Sequence, residues 1–174
     1  MLILPGSSAL SAFRQERLLA ALTRAVPAVQ HLSARHVHFV ATAADFSPFD
    51  EGRLNDLLAD VTGRAPEFDD GTLLLVIPRP GTLSPWSSKA TDIAHNAGLT
   101  SVHRIERGIA YRVRAATGLS AGQYRTLAAL LHDRMVEAVF DSLDAAAALF
   151  AEHDARRLVQ VPVLARGRAA LARA

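Results

Sequence analysis

Slid along itself by 73 positions, the chain matches its own second half without a gap, and this self-match narrows the folds open to it more than any other feature. Leu2 falls on Leu75, Pro5 on Pro78, Leu10-Ser11 on Leu83-Ser84, Phe13 on Trp86, Val29 on Val102, Val40 on Val113 and Ser47 on Ser120. Leu54, Leu57 and Leu58 likewise fall on Leu127, Leu130 and Leu131. Both halves read strand, helix, strand, helix. Identities are few, so the weight lies in the coinciding elements, against the alternative of accidental register between similar units. The pattern predicts an α+β fold of two pseudo-repeated βαβα units related by a pseudo-twofold. Their strands form antiparallel sheet and their helices pack against it, those at Leu54 and Leu127 in equivalent places.

Local signals give the elements their bounds. Leu2, Ile3 and Leu4 read as a short strand ending at Pro5-Gly6. A helix from about Ser11 carries Phe13, Leu18, Leu19, Leu22 and Val26 on one face, and Pro27 ends it. Val29 to Thr42 is β-branched and loosely alternating, hence a strand with a bulge expected near Ser33. Ser47, Pro48 and Asp50 start a helix whose stripe is Leu54, Leu57, Leu58 and Val61 and which Gly63 closes. Leu73 to Ile77 is a continuous apolar run, read as a strand covered on both faces. In the following loop Pro78, Pro80 and Pro85 bar helix and Gly81 permits positive φ. Ser87 and Ser88 are then expected to cap a short helix closed by Asn96 and Gly98. Val102 to Ala115 is strand again, with Gly108 as a bulge or turn. Ser120 with Gln123 is a capping box, and Leu127, Leu130, Leu131, Met135 and Val139 give the longest amphipathic pattern. Asp141 to Asp154 reads as an Ala-rich helix and Leu158 to Leu164 as an extended piece broken by Pro162. Arg166 to Ala174 opens a helix without a cap, so the sequence is expected to continue. The expected domain is 1–140, with halves of about 1–70 and 71–140, followed by 141–174 as a helix and the start of a linker.

Composition mainly excludes. With no cysteine, thiol catalysis and disulfides are ruled out, and a cytoplasmic location is permitted. A formal charge of +2 is too small to imply a nucleic-acid partner. No apolar run approaches a membrane span, and the start has neither a basic n-region nor an apolar h-region, so no membrane association and no signal peptide are expected.

The chemistry-bearing residues form no complete constellation. Ser87, Ser88 and Lys89 at a helix start could bind an anion through free N–H groups, hydroxyls and an ammonium; ordinary capping with a solvated lysine is the plainer reading. Trp86 stands three before Lys89, so the Ser-x-x-Lys of acyl enzymes is absent, and Gly81 alone makes no phosphate loop. His36 and His38 share a strand face and could be two metal ligands, but His31, His95, His103, His132 and His153 are scattered and supply no third. Hydrogen-bonded surface or interface histidines are preferred, and no metal or cofactor site is expected. Asp45, Asp50, Asp56, Asp60, Asp69 and Asp70 sit mostly in caps and turns and read as structural. Trp86 reads as a buried anchor for the loop in preference to a stacking platform. Tyr111 beside Arg112 and Arg114 is the nearest approach to an RNA-binding strand. On residues alone the choice lies between a non-catalytic domain of a larger enzyme and a stand-alone α+β binding module. The latter would use the Pro78–Lys89 loop and the following helix N-terminus for an anionic ligand.

The run PRPGTLSPWSSKATDIAHNAGL, followed by RIERGIAYRV and LHDRMVEAVF, closely resembles the N-terminal region of the large single-chain phosphoribosylformylglycinamidine synthase of purine biosynthesis. The similarity runs from LILPGSSALSAFR to LARGRAAL. In that ligase the region resembles a fused pair of PurS-type subunits, as the duplication suggests. The resemblance implies a role in converting formylglycinamide ribonucleotide, glutamine and ATP to formylglycinamidine ribonucleotide. ATP, Mg²⁺ and the glutaminase cysteine and histidine belong to downstream domains, so this chain alone is expected to be inactive. Its implied partners are the synthetase and glutaminase domains, in cis or in trans. The interface candidates are Pro80, Gly81, Ser84, Trp86, Ser87, Ser88, Lys89, Asp92 and His95.

Overall fold

The computed structural model describes residues 1–43, 46–59, 71–151 and 160–172. Val61, Gly63, Asp45, Asp60, Asp69, Asp70, His153, Asp154, Leu158 and Ala174, named above, lie outside these. The order is β1 (Leu2–Ser8), α1 (Ala12–Ala25), β2 (Val29–Thr42), α2 (Pro48–Leu58), β3 (Thr72–Pro78), α3 (Pro85–Asn96), β4 (Val102–Ala115), α4 (Ala121–Leu131) and β5 (Glu137–Phe140). A 3-10 helix, Asp144–Phe150, and two short turns of helix, α5 (Val163–Arg166) and α6 (Arg168–Leu171), follow. The strands make one antiparallel sheet in the order β1-β2-β4-β3-β5.

The duplication is visible in the architecture. Serines cap the repeated helices by the same local chemistry: Ser11 and Ser84 accept from the third residue beyond them, as do Ser47 and Ser120, each pair 73 apart. At Ser47 the exchange is reciprocal through Asp50, and Ser120 with Gln123 makes the expected capping box. β2 and β4 also correspond at this displacement, and in their ladder His36 pairs with Ile109, its own 73-shifted counterpart. The pseudo-twofold therefore passes through the centre of the sheet. β3 breaks the rule. Leu2 pairs with Val40, yet Leu75 pairs with Ala110 and not Val113. β1 thus corresponds to β3 at a displacement of 70, with three extra residues between β3 and α3, so Leu2 matches Thr72 and the ungapped alignment of Leu2 with Leu75 is corrected.

One sheet face carries the helices. Leu22 of α1 with its C-cap Val26, and Leu127 and Leu131 of α4, bury against Leu32, Ala34, Leu74, Val76, Tyr111 and Val113. Leu54 of α2 and Ala94 of α3 bury against Leu4, Val40, Val102 and Ile105. Each cluster thus joins the first helix of one half to the second helix of the other, so both halves contribute to both. On the other face Val37, Phe39, Leu73, Leu75, Ile77 and Ala110 are covered by Ala146 and Leu149 of the 3-10 helix. This explains why Leu73 to Ile77 is apolar at every position.

Several local expectations are corrected. Pro85 is no barrier to helix: it occupies the first turn of α3, where its missing N–H is not needed, and the cap is Ser84 and not Ser87 or Ser88. β1 continues through Pro5-Gly6 to Ser8 by a register shift. The irregularities in the β2–β4 ladder lie between Val29 and His31 and between Ala41 and Thr42, and not at Ser33. Gly108 is neither bulge nor turn but a regular position opposite Val37. A Cβ there would lie 2.7 Å from the Ile77 side chain and 2.8 Å from the Val76 carbonyl oxygen, so close strand and core packing selects glycine. Phe13 is exposed. The pattern from Leu127 to Val139 is split: α4 ends at Leu131, Met135 lies in the turn and Val139 is in β5. The Ala-rich stretch is a 3-10 helix over 144–150, and Pro162 ends no strand but precedes α5, which Gly167 (φ 55°) turns into α6.

Candidate interaction site at the α3 N-terminus

The β3–α3 connection, 79–84, is tied to β4 by an ion pair between the half-buried Arg104 and the buried Glu106. Gly81 takes φ 82°, where glycine is strain-free, and the Thr82 amide and hydroxyl both donate to the Arg79 carbonyl. Ser84 then links helix cap to sheet. Its Oγ accepts from the Ser87 amide at 3.0 Å and donates to Glu106 Oε2 at 2.8 Å, while its own amide donates to Glu106 Oε1 at 3.3 Å. Glu106 is fully buried and paired with Arg104, as a charge in such a place must be. Arg104 also donates to the Thr82 carbonyl at 2.6 Å and the Leu149 carbonyl at 3.0 Å, and its guanidinium stands 5.6 Å from the Phe150 ring centre.

The anion reading of this helix start loses donors. Pro85 has no N–H, the Ser87 amide is spent on the Ser84 cap and the Ser88 amide donates to the Ser84 carbonyl. Ser88, Lys89 and Asp92 are exposed on α3, whereas Ser87 is buried with a hydroxyl that makes no hydrogen bond. His95 is a closing residue: its Nε2 lies 2.6 Å from the Val102 carbonyl at the α3–β4 turn. Pro80 is half-buried and Gly81 exposed in the loop. Pro80, Gly81, Ser84, Trp86, Ser87, Ser88 and Lys89 are therefore contiguous, while Asp92 and His95 lie further along the helix.

Trp86 sits in the first turn of α3 and not in the loop, half-buried, its indole stacked on His38 at 5.6 Å and 14°. The Arg107 guanidinium lies 4.7 Å from the same ring. Since His38 and Arg107 are direct cross-strand partners, Trp86 fixes the helix to the sheet centre. His38 is buried with Nδ1 unpartnered, and its pKa falls to about 4, first through burial and then through the charges of Arg107 and His36. His36 is lowered too, by burial and then by Arg107. These neutral imidazoles face a fixed guanidinium charge that opposes a cation. Among the described residues no group of three or more acidic, His or Cys side chains could hold a metal ion.

Beside the loop lies an apolar cleft of about 440 Å³ between Pro78, Thr82, Leu83 and Pro85 on one side and Met135, Val136 and Glu137 on the other. Leu83, Met135 and Val136 are mostly exposed, a cluster of the kind that marks interaction sites. The helical spacing from Leu127 to Met135 hides this cleft in the sequence, because Met135 reads there as one residue of a helix face. Arg104 and Glu106 also escape the sequence reading, although their alternation in a strand of apolar neighbours is the available signal.

Fold and site together define an α+β domain duplicated about a pseudo-twofold, with a rigidly tied loop beside an exposed apolar cleft. Among the described residues no helix is long and apolar enough to cross a membrane. The sequence matches the family described as formylglycinamide ribonucleotide amidotransferase N-terminal over residues 35–150, about two thirds of the chain, and the chain belongs to that family.

Proposed function

We propose that this domain is a non-catalytic structural and coupling part of the glutamine- and ATP-dependent enzyme that makes formylglycinamidine ribonucleotide in purine biosynthesis, acting in the cytoplasm. It docks on the synthetase and glutaminase domains, in cis or in trans, through the 79–84 loop and the start of α3. ATP, Mg²⁺ and the glutamine-activating thiol are held on those domains. The observation that carries the reading is the exposed apolar group of Leu83, Met135 and Val136 beside a loop held in one shape by hydrogen bonds to the buried Glu106 carboxylate. Exposed apolar side chains on a rigid frame lose little entropy on docking, so they suit an interface with a partner domain. The test mixes this chain with a synthase lacking its N-terminal region. Restored synthesis is expected, and is expected to be lost with Leu83→Ser/Met135→Ser while the fold is retained. Synthesis that is never restored, or amidation by this chain alone, would refute it.

A further inference from the structure

We infer that the Arg104–Glu106 pair couples the 3-10 helix at Asp144–Phe150 to the 79–84 loop, so that the position of one sets the shape of the other. Three segments distant in sequence meet at this pair. Arg104 holds the carbonyls of Thr82 and Leu149 and the Glu106 carboxylate, and Phe150 packs against its guanidinium. Glu106 in turn holds both the amide and the hydroxyl of Ser84, the residue that caps α3. A guanidinium is a planar fork with fixed donor directions, so it cannot follow one carbonyl without leaving the other. Nor can it withdraw from Glu106, because a fully buried carboxylate without its cation is strongly penalised. Displacement of the 3-10 helix must therefore break the Arg104–Leu149 bond and the Phe150 contact, break the pair with the buried Glu106, or be met by movement of Thr82 and Ser84, and only the last keeps all of these contacts. The cap at Ser84 carries this displacement on to the first turn of α3, where its Oγ receives the Ser87 amide.

This inference stands on the chain's own contacts and does not rest on the proposed enzyme, so its test needs only this polypeptide. Amide hydrogen exchange of Thr82, Ser84 and Ser87 is measured in the full chain with and without Phe150→Ala. Loss of the ring against the guanidinium should raise exchange at these three amides about three- to tenfold, the effect of one cation–π contact, while the β2 amides of Leu32 and Ala34, whose side chains lie in the cluster on the other sheet face, stay unchanged. In an Arg104→Gln background the three amides should already exchange faster, and adding Phe150→Ala should change nothing more. Arg104→Lys, which keeps the charge beside Glu106 but cannot span both carbonyls, replaces Arg104→Gln should that variant fail to fold, with the same expectation. Unchanged loop exchange in Phe150→Ala would overturn the inference. So would an equal increment in the presence and absence of Arg104.

Discussion

His38 gives the chain a stability that depends on pH in a calculable way. The imidazole is buried under Trp86, Arg107 is its cross-strand partner and His36 lies on the same face two residues away. All three effects disfavour the protonated ring, and the pKa falls from 6.5 to about 4. Because the folded value is the lower one, the unfolded chain takes up the proton first. The stability that comes from keeping His38 neutral is therefore complete above pH 6.5, is lost as the pH falls from 6.5 towards 4, and changes no further below that. Two and a half units at about 1.36 kcal/mol each correspond to about 3 kcal/mol, a large share of a domain's net stability. The perturbation is His38→Phe, which keeps a flat ring against Trp86 and forfeits no hydrogen bond at Nδ1, since that atom makes none. Urea unfolding of both proteins at about pH 7 and about pH 4 separates this histidine from the carboxylates, whose contributions are common to both. The wild type should lose about 3 kcal/mol more than His38→Phe on acidification, less if Arg107 swings out to water. Equal losses would refute the reasoning, and would mean that the charged imidazole finds a partner in the folded state. His36, lowered in the same direction, should add a smaller effect of the same sign when His36→Phe is combined with the first substitution.

Two further substitutions test the packing argument. Gly108→Ala places a Cβ within 3 Å of both Ile77 and the Val76 carbonyl, so it should destabilise by about 1–3 kcal/mol in thermal unfolding; a neutral effect would show that β3 and β4 can separate at no cost. Ser84→Ala and Ser120→Ala remove equivalent caps, but only Ser84 also donates to a buried carboxylate. Ser120→Ala should therefore cost about 1 kcal/mol and Ser84→Ala about 2–4 kcal/mol by urea titration, and equal costs would show that Glu106 gains nothing from Ser84.

What the sequence determined by itself is everything that depends on neighbours within a few residues. The serine caps at Ser47 and Ser120, the alternation of β2 and β4 and the apolar stripes of the helices are local preferences, and they carry the duplication without reference to the fold. Even the displaced cap of α3 was legible, since Ser84-Pro85 is a serine followed by proline at a first helical turn, and reading Pro85 as a loop residue hid it. Tertiary structure alone decided the rest. The register of β3 depends on pairing with β4 across an insertion that ungapped matching cannot show. The stretch from Leu127 to Val139 has a helical spacing, yet β3 offers an edge to which Val139 pairs, and a ladder partner outweighs an amphipathic pattern. Arg104 and Glu106 look in sequence like ordinary surface charges, His38 like a hydrogen-bonded surface or interface histidine, and Trp86 like a loop anchor with no stated partner. They acquire their partners only when α3 and the 3-10 helix close on opposite faces of one sheet, because burial and charge proximity are properties of the packed state.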